Sequence, residues 1–138
     1  MNIFETKDVN NKQCSFQYIV EYGDELHPNE ITFKVYSIPV DELKWFTYKL
    51  KIIDDTFAKN ELLDNNGNEA FKRKGIPEKI IEIASKTLQR NIISSPITFN
   101  PGNYLAPPAR KVWERLVKYN SNAFYSKEQE CFVFVLES

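Results

Sequence analysis

The sequence predicts an α/β protein: one mixed, mostly antiparallel sheet with two main helices packed on its faces and a β-hairpin at the C-terminus. Three observations carry this expectation. Apolar and polar residues alternate with period two through the first half; "PEKIIEIASKTL" and "PARKVWERLVKY" carry the 3.6-residue period of amphipathic helices; and the chain closes on two apolar runs split by the polar "KEQ".

The elements follow in order. Cys14, Phe16, Tyr18, Val20 and Tyr22 alternate with Ser15, Gln17 and Glu21, which makes a strand with one face on a core, and "GDELHPNE" supplies the turn after it. A second strand, "EITFKVYSI", sets Ile31, Phe33 and Val35 against Thr32 and Lys34. "PVDEL" reads as a short helical turn with Pro39 at its start. In "WFTYKLKII", Phe46, Tyr48, Leu50 and Ile52 oppose Thr47, Lys49 and Lys51, the clearest alternation in the chain. From Asp54 to Lys74 periodicity fails, and Asn66-Gly67 marks a turn. The first helix then buries Ile80, Ile81, Ala84 and Leu88, with Pro77 at its first position and Glu78 near the positive end of the dipole. A short strand, "NIISSP", is stopped by Pro96, and "ITFNPGNYLAPP" is a polar connection rich in breakers. The second helix buries Val112, Trp113 and Leu116, with Tyr119 at the margin of that face. "NAFYS" and "ECFVFVLE" close the chain, and the second of them is apolar enough to lie inside the sheet.

Composition bounds the functions. The 138 residues suit a single domain spanning 1–138, and 42% hydrophobic and 14% aromatic content is that of a folded chain. Eighteen basic against nineteen acidic side chains leave a net charge of -1, so no global field draws the protein to nucleic acid or to an anionic membrane. Phe46 and Tyr48 lie on the strand face opposite Lys49 and Lys51, so they do not interleave with those cations as a single-strand stacking platform requires. "MNIFETKDVNNKQCSF" lacks the basic start and apolar stretch of a signal peptide, and no run reaches the ~18 apolar residues of a membrane span. The expectation is a cytoplasmic protein with no nucleic-acid or membrane partner. Cys14 and Cys131, far apart in strand-like runs, read as free thiols, and with the single His27 they form no metal-ligand set.

Chemistry concentrates at "KRKGIP". Lys72, Arg73 and Lys74 precede Gly75 and Ile76 at the start of a helix, where unpaired amides and the helix dipole favour an anion and a glycine lets a phosphate approach the main chain. Pro77 offers no N–H and Glu78 opposes the field. The same residues also fit solvated loop charges ahead of an ordinary helix start. Asp54 and Asp55 end the third strand, as turn residues or as a site for a substrate cation. His27 sits in an exposed turn, and Ser94 and Ser95 have neither a nucleophile elbow nor a histidine partner.

The order of elements from Ala70 to the C-terminus, with "KRKGIP" opening one helix and "ARKVWERL" in the next, resembles the GNAT acetyltransferase superfamily. That family carries R/Q-x-x-G-x-G/A between a strand and a helix. Lys72, Arg73, Lys74, Gly75, Ile76 and Pro77 occupy the six positions here, with Gly75 matching and Lys72 and Pro77 departing. The resemblance implies acetyl-CoA as cofactor, its pyrophosphate held by Lys72 to Ile76, and transfer of an acetyl group to a small-molecule or protein amine. In the family's second helix, N-x-x-A-x-x-L-Y-E-K, the asparagine contacts cofactor and the tyrosine protonates the leaving thiolate; Ala106 and Trp113 stand at those positions here. Tyr104 and Tyr125 are the candidate replacements. The alternative is a GNAT-like module that binds a protein or ligand and does not catalyse, which accounts for Pro77, Ala106 and Trp113 together.

Overall fold

The computed structural model describes residues 2–98 and 100–137. Its strands are β1 (Asn2–Lys7), β2 (Gln13–Tyr22), β3 (Glu30–Ser37), β4 (Phe46–Ile52), β5 (Phe57–Asp64), β6 (Asn91–Ile93), β7 (Ala123–Ser126) and β8 (Cys131–Phe134). Helix α1 (Ile76–Leu88) joins β5 to β6, and α2 (Pro107–Tyr119) joins β6 to β7. All eight strands form one sheet in the order β1-β2-β3-β4-β5-β6-β8-β7. Only the β5–β6 pair is parallel, and α1 makes the crossover that parallel neighbours require. The architecture is therefore α/β with a mixed, mostly antiparallel sheet.

Two strands lie where the sequence pattern is unreadable. In β1, "NIFETK", the inward set is Phe4 and Thr6, and a threonine in that set weakens the alternation. Asp8 closes the turn after it by accepting the N–H groups of Asn10 and Lys12, both at 2.9 Å. In β5 the alternation breaks because the register slips: Leu50 faces Asn60, but Lys49 faces Leu62, so Glu61 is an extra residue. Ala58 and Asn60 face the core before this bulge and Leu63, opposite Tyr48, follows after it, which reverses the parity a period-two reading relies on. "PVDEL" is a turn and not a helix: Leu43 N–H bonds the Asp41 carboxylate at 3.0 Å and Lys44 N–H its carbonyl at 3.1 Å, after a cis Ile38–Pro39 bond. Pro77 takes the second helical position, since α1 starts at Ile76.

The core forms on one side of the sheet. Register sets Phe4 opposite Phe16, Tyr18 opposite Val35, Val35 opposite Phe46, Phe33 opposite Tyr48, Ile31 opposite Leu50, Ala58 opposite Ile92, and Ile92 opposite Phe134. Ile76, Ile80, Ile81, Ala84 and Leu88 of α1 and Val112, Trp113 and Leu116 of α2 join the same cluster. Each such Val, Leu, Ile or Phe side chain contributes about 1.5–3 kcal/mol on burial. Both helices thus lie on one face, a departure from the expected packing on both. Over β2 to β4 the opposite face is polar, with Lys34 at 2.8 Å from Glu21 and Lys49 at 3.4 Å from Glu30. β8, buried at every residue, lies between β6 and β7. Cys14 and Cys131 are free thiols. Among the described residues no helix is long and apolar enough to cross a membrane, and no group of three His, Cys, Asp or Glu side chains is placed to hold a metal ion.

Candidate functional site

An open groove of about 1360 Å³ lies on the side of the sheet that carries the helices. Its walls are the end of β1 and the following turn (Glu5 to Val9, and Asn11), Phe46 of β4, Asn65 after β5, the segment Phe71 to Gly75, Pro77, Glu78, Lys79 and Glu82 of α1, and Arg115, Leu116, Tyr119 and Asn120 at the end of α2.

Gly75 sets the geometry. It precedes α1 in the left-handed region, with φ 74° and ψ 13°. A Cβ placed on it would lie 3.2 Å from the Lys7 carbonyl oxygen and 3.6 Å from Thr6 Cβ. The absent side chain therefore lets the chain run close to β1, its own first strand. Ile76 is fully buried and anchors the helix start in the core, and the first helical bond runs from Lys79 N–H to the Gly75 carbonyl at 3.3 Å. Among the described residues no hydrogen bond takes up the main-chain N–H of Arg73, Lys74, Gly75 or Ile76. Arg73, Lys74 and Gly75 line the groove whereas Ile76 is fully buried, so three of these donors and the positive end of α1 are what the groove offers an anion.

The three cations differ in what they retain. Lys72 Nζ donates to Glu69 Oε1 at 2.7 Å, and this bond holds the Glu69 carboxyl below its ordinary value. Lys74 Nζ lies 3.9 Å from Asp8 Oδ2; the Asp8 carboxyl is lowered chiefly by the Lys12 N–H, then by the Asn10 N–H and the Lys74 charge. Arg73 adopts φ 56°, a conformation that favours glycine, and among the described residues it forms no ion pair. Glu78, at the third helical position, is turned outward to α2, where its Oε1 accepts from Arg115 Nε at 2.7 Å. Its negative charge is thereby met by a cation at the groove wall. Thr6 Oγ1 is buried without a partner among the described residues.

The other expected residues lie apart from this groove. Asp54 and Asp55 occupy the turn from β4 to β5: Asp54 Oδ1 accepts from Thr56 and Phe57 N–H, both at 2.8 Å, and Asp55 Oδ1 lies 3.9 Å from Arg90 Nη2. That turn is at the start of β5, whereas β5 and β6 part beyond Lys59 and Ile93, so neither aspartate faces the parting. Tyr104 sits in the connection between β6 and α2, and Tyr125 on the edge strand β7 packs its ring edge-on to Phe132 at 5.1 Å. Neither lines the groove. Trp113 is fully buried and stacks on Phe132 at 6.1 Å and 18°. Ala106 is exposed at the start of α2. Tyr119, expected at the margin of the buried face, is 77% exposed and forms part of the groove wall.

Sequence reasoning missed the β1 wall. Thr6, Lys7 and Asp8 become part of the site only through the sheet order, although Asn10-Asn11 ahead of an alternating strand is a usable turn signal for a preceding partner. Comparison with known proteins brings no assignment: no family model matches the chain, and no curated protein matches it.

Proposed function

We propose that this chain is a GNAT-like ligand-binding module that holds an anionic, phosphate-bearing ligand in the groove at the start of α1 and does not catalyse acyl transfer. One observation carries the reading. Three consecutive main-chain N–H groups, from Arg73 to Gly75, carry no hydrogen bond among the described residues and belong to residues lining the groove, yet that groove has no lining residue from β5 or β6. A phosphate is served by such donors. A thioester acting at the parting of β5 and β6 needs a cleft lined by those strands, and neither strand lines this groove. The residues that would carry acid chemistry point the same way. An indole stacked in the core is no general acid near neutral pH, and an alanine cannot contact a cofactor as an asparagine does.

The acyl-CoA-dependent N-acyltransferase is the second reading, with acetyl-CoA as cofactor and an amine as acceptor. The parallel β5–β6 pair joined through a cation-rich loop and α1 favours it, since this is the strand–loop–helix order of the family. Calorimetry separates the two. Inorganic pyrophosphate and coenzyme A are titrated into the wild-type protein and into Gly75→Glu and Arg73→Glu, and acetyl-CoA with a panel of amines is followed for thiol release. The binding module requires pyrophosphate and coenzyme A to bind and both variants to weaken them, with no thiol released. Amine-dependent thiol release establishes the acyltransferase, and absence of binding by both ligands at millimolar concentration removes the anion site.

A further inference from the structure

A second cavity, of about 270 Å³, opens on the sheet face away from the helices, over the paired stretch of β5 and β6. The two strands pair only from Phe57–Asn91 to Lys59–Ile93. Pro96 and Asn103, from the connection that follows β6, wall the cavity, and a bond from Leu105 N–H to the Pro96 carbonyl at 2.7 Å ties the ends of that connection together. Ile53, Phe57, Ile93 and Pro96 make the walls largely apolar, and the buried Cys131 thiol forms part of the lining.

One cation projects into this setting. Lys59 is half-buried and donates from Nζ to Asn103 Oδ1 at 2.5 Å. An amide oxygen satisfies one of the three ammonium N–H groups and none of the charge. No carboxylate lines the cavity, and among the described residues Lys59 has no ion pair. Drawing an ammonium toward apolar surface without a counter-charge costs free energy that a bound anion recovers. We propose that this cavity binds a small aliphatic carboxylate, its oxygens on Lys59 Nζ and its chain against Ile53, Phe57, Ile93 and Pro96. A single cation suits a monoanion and not a polyphosphate. A volume of about 270 Å³ sets the ligand at short-chain length. The site is independent of the groove at α1, so the failure of either leaves the other standing.

The test uses hexanoate as the probe and hexanol as its uncharged counterpart. Backbone amide shifts locate binding, and the alkylation rate of Cys131 in a Cys14→Ser background reports occupancy of the cavity. Hexanoate is expected to shift Phe57, Lys59 and Ile93 saturably and to slow Cys131 alkylation severalfold, while hexanol at equal concentration does neither. Lys59→Met and Lys59→Gln are each expected to weaken hexanoate about tenfold, and Lys59→Arg to retain it. The proposal is overturned by equal binding of hexanol, by undiminished hexanoate binding in the folded Met or Gln variant, by shifts centred on Gly75 instead, or by no response at millimolar hexanoate.

Discussion

Gly67, Gly75 and Gly102 share one backbone conformation, with φ of 74°, 74° and 76°, but not one environment. Alanine at such a φ costs about 1–2 kcal/mol wherever it stands. At Gly67 and Gly102 a Cβ meets nothing within 4 Å, so the dihedral cost is the whole cost. At Gly75 it lies 3.2 Å from the Lys7 carbonyl oxygen, a main-chain atom in β1 that yields only if the strand shifts. Displacing that strand adds about 1 kcal/mol, at the low end for overpacking. Gly75→Ala is therefore expected to cost ~2–3 kcal/mol and the other two ~1–2 kcal/mol each. Urea unfolding of the three variants reads the difference as a lower midpoint at unchanged slope for Gly75→Ala. Equal losses at all three positions refute the close approach of β1. Gly75→Ala is also the needed comparator for Gly75→Glu in the calorimetry: a binding loss shared by both is a loss of shape, and one confined to glutamate is a loss of charge complementarity.

Tyr48 is fully buried, and its hydroxyl has no partner among the described residues. Tyr48→Phe is expected to stabilise by about 1 kcal/mol in thermal or urea unfolding. Burial also pushes the Tyr48 phenol well above its ordinary value. The stability tied to its proton is complete below the ordinary value, near ~10, and is lost as pH rises through the folded one, so Tyr48→Phe should flatten the alkaline fall in melting temperature. Trp113→Ala is expected to lose ~3–5 kcal/mol, with Trp113→Phe losing less, and fluorescence of the remaining Trp45 gives a baseline for both in urea unfolding. Asp8 is lowered chiefly by the Lys12 N–H and Asp24 chiefly by the His27 N–H. Their contribution is present above the ordinary aspartate value of about 3.9 and is lost as pH falls through the lower folded values, so Asp8→Asn and Asp24→Asn should each shrink the acid limb of a pH–stability profile.

The elements legible in the sequence are those whose environment is the same along their whole length. β3 and β4 keep one face on the core throughout, and their alternation survives; α1 and α2 each bury a single stripe that their periodicity shows. β5 is illegible because its bulge at Glu61 changes which parity is inside, and because the buried Asn60 reads as a polar position. β1 fails for a related reason, with Thr6 standing where the pattern asks for an apolar residue. At the groove, the cations, the glycine and the unbonded amides follow from local order along the chain. What β1 does to them follows from sheet order, since Lys7 approaches Gly75 across 68 positions of sequence, and no local pattern encodes that. Tyr119 shows the limit from the other side: helical phase places it near the buried stripe, but α2 ends there and leaves the ring in solvent.

β1 has a hydrogen-bonded neighbour on one side only, and it supplies one wall of the groove. Edge strands open first in local unfolding, so the shape of the groove fluctuates with the fraying of the sheet margin and not with the core. A ligand held there would act as a splint: deuterium uptake at the β1–β2 pairs, from Asn2–Tyr18 to Lys7–Gln13, should slow on binding while uptake in β3 and β4 stays unchanged.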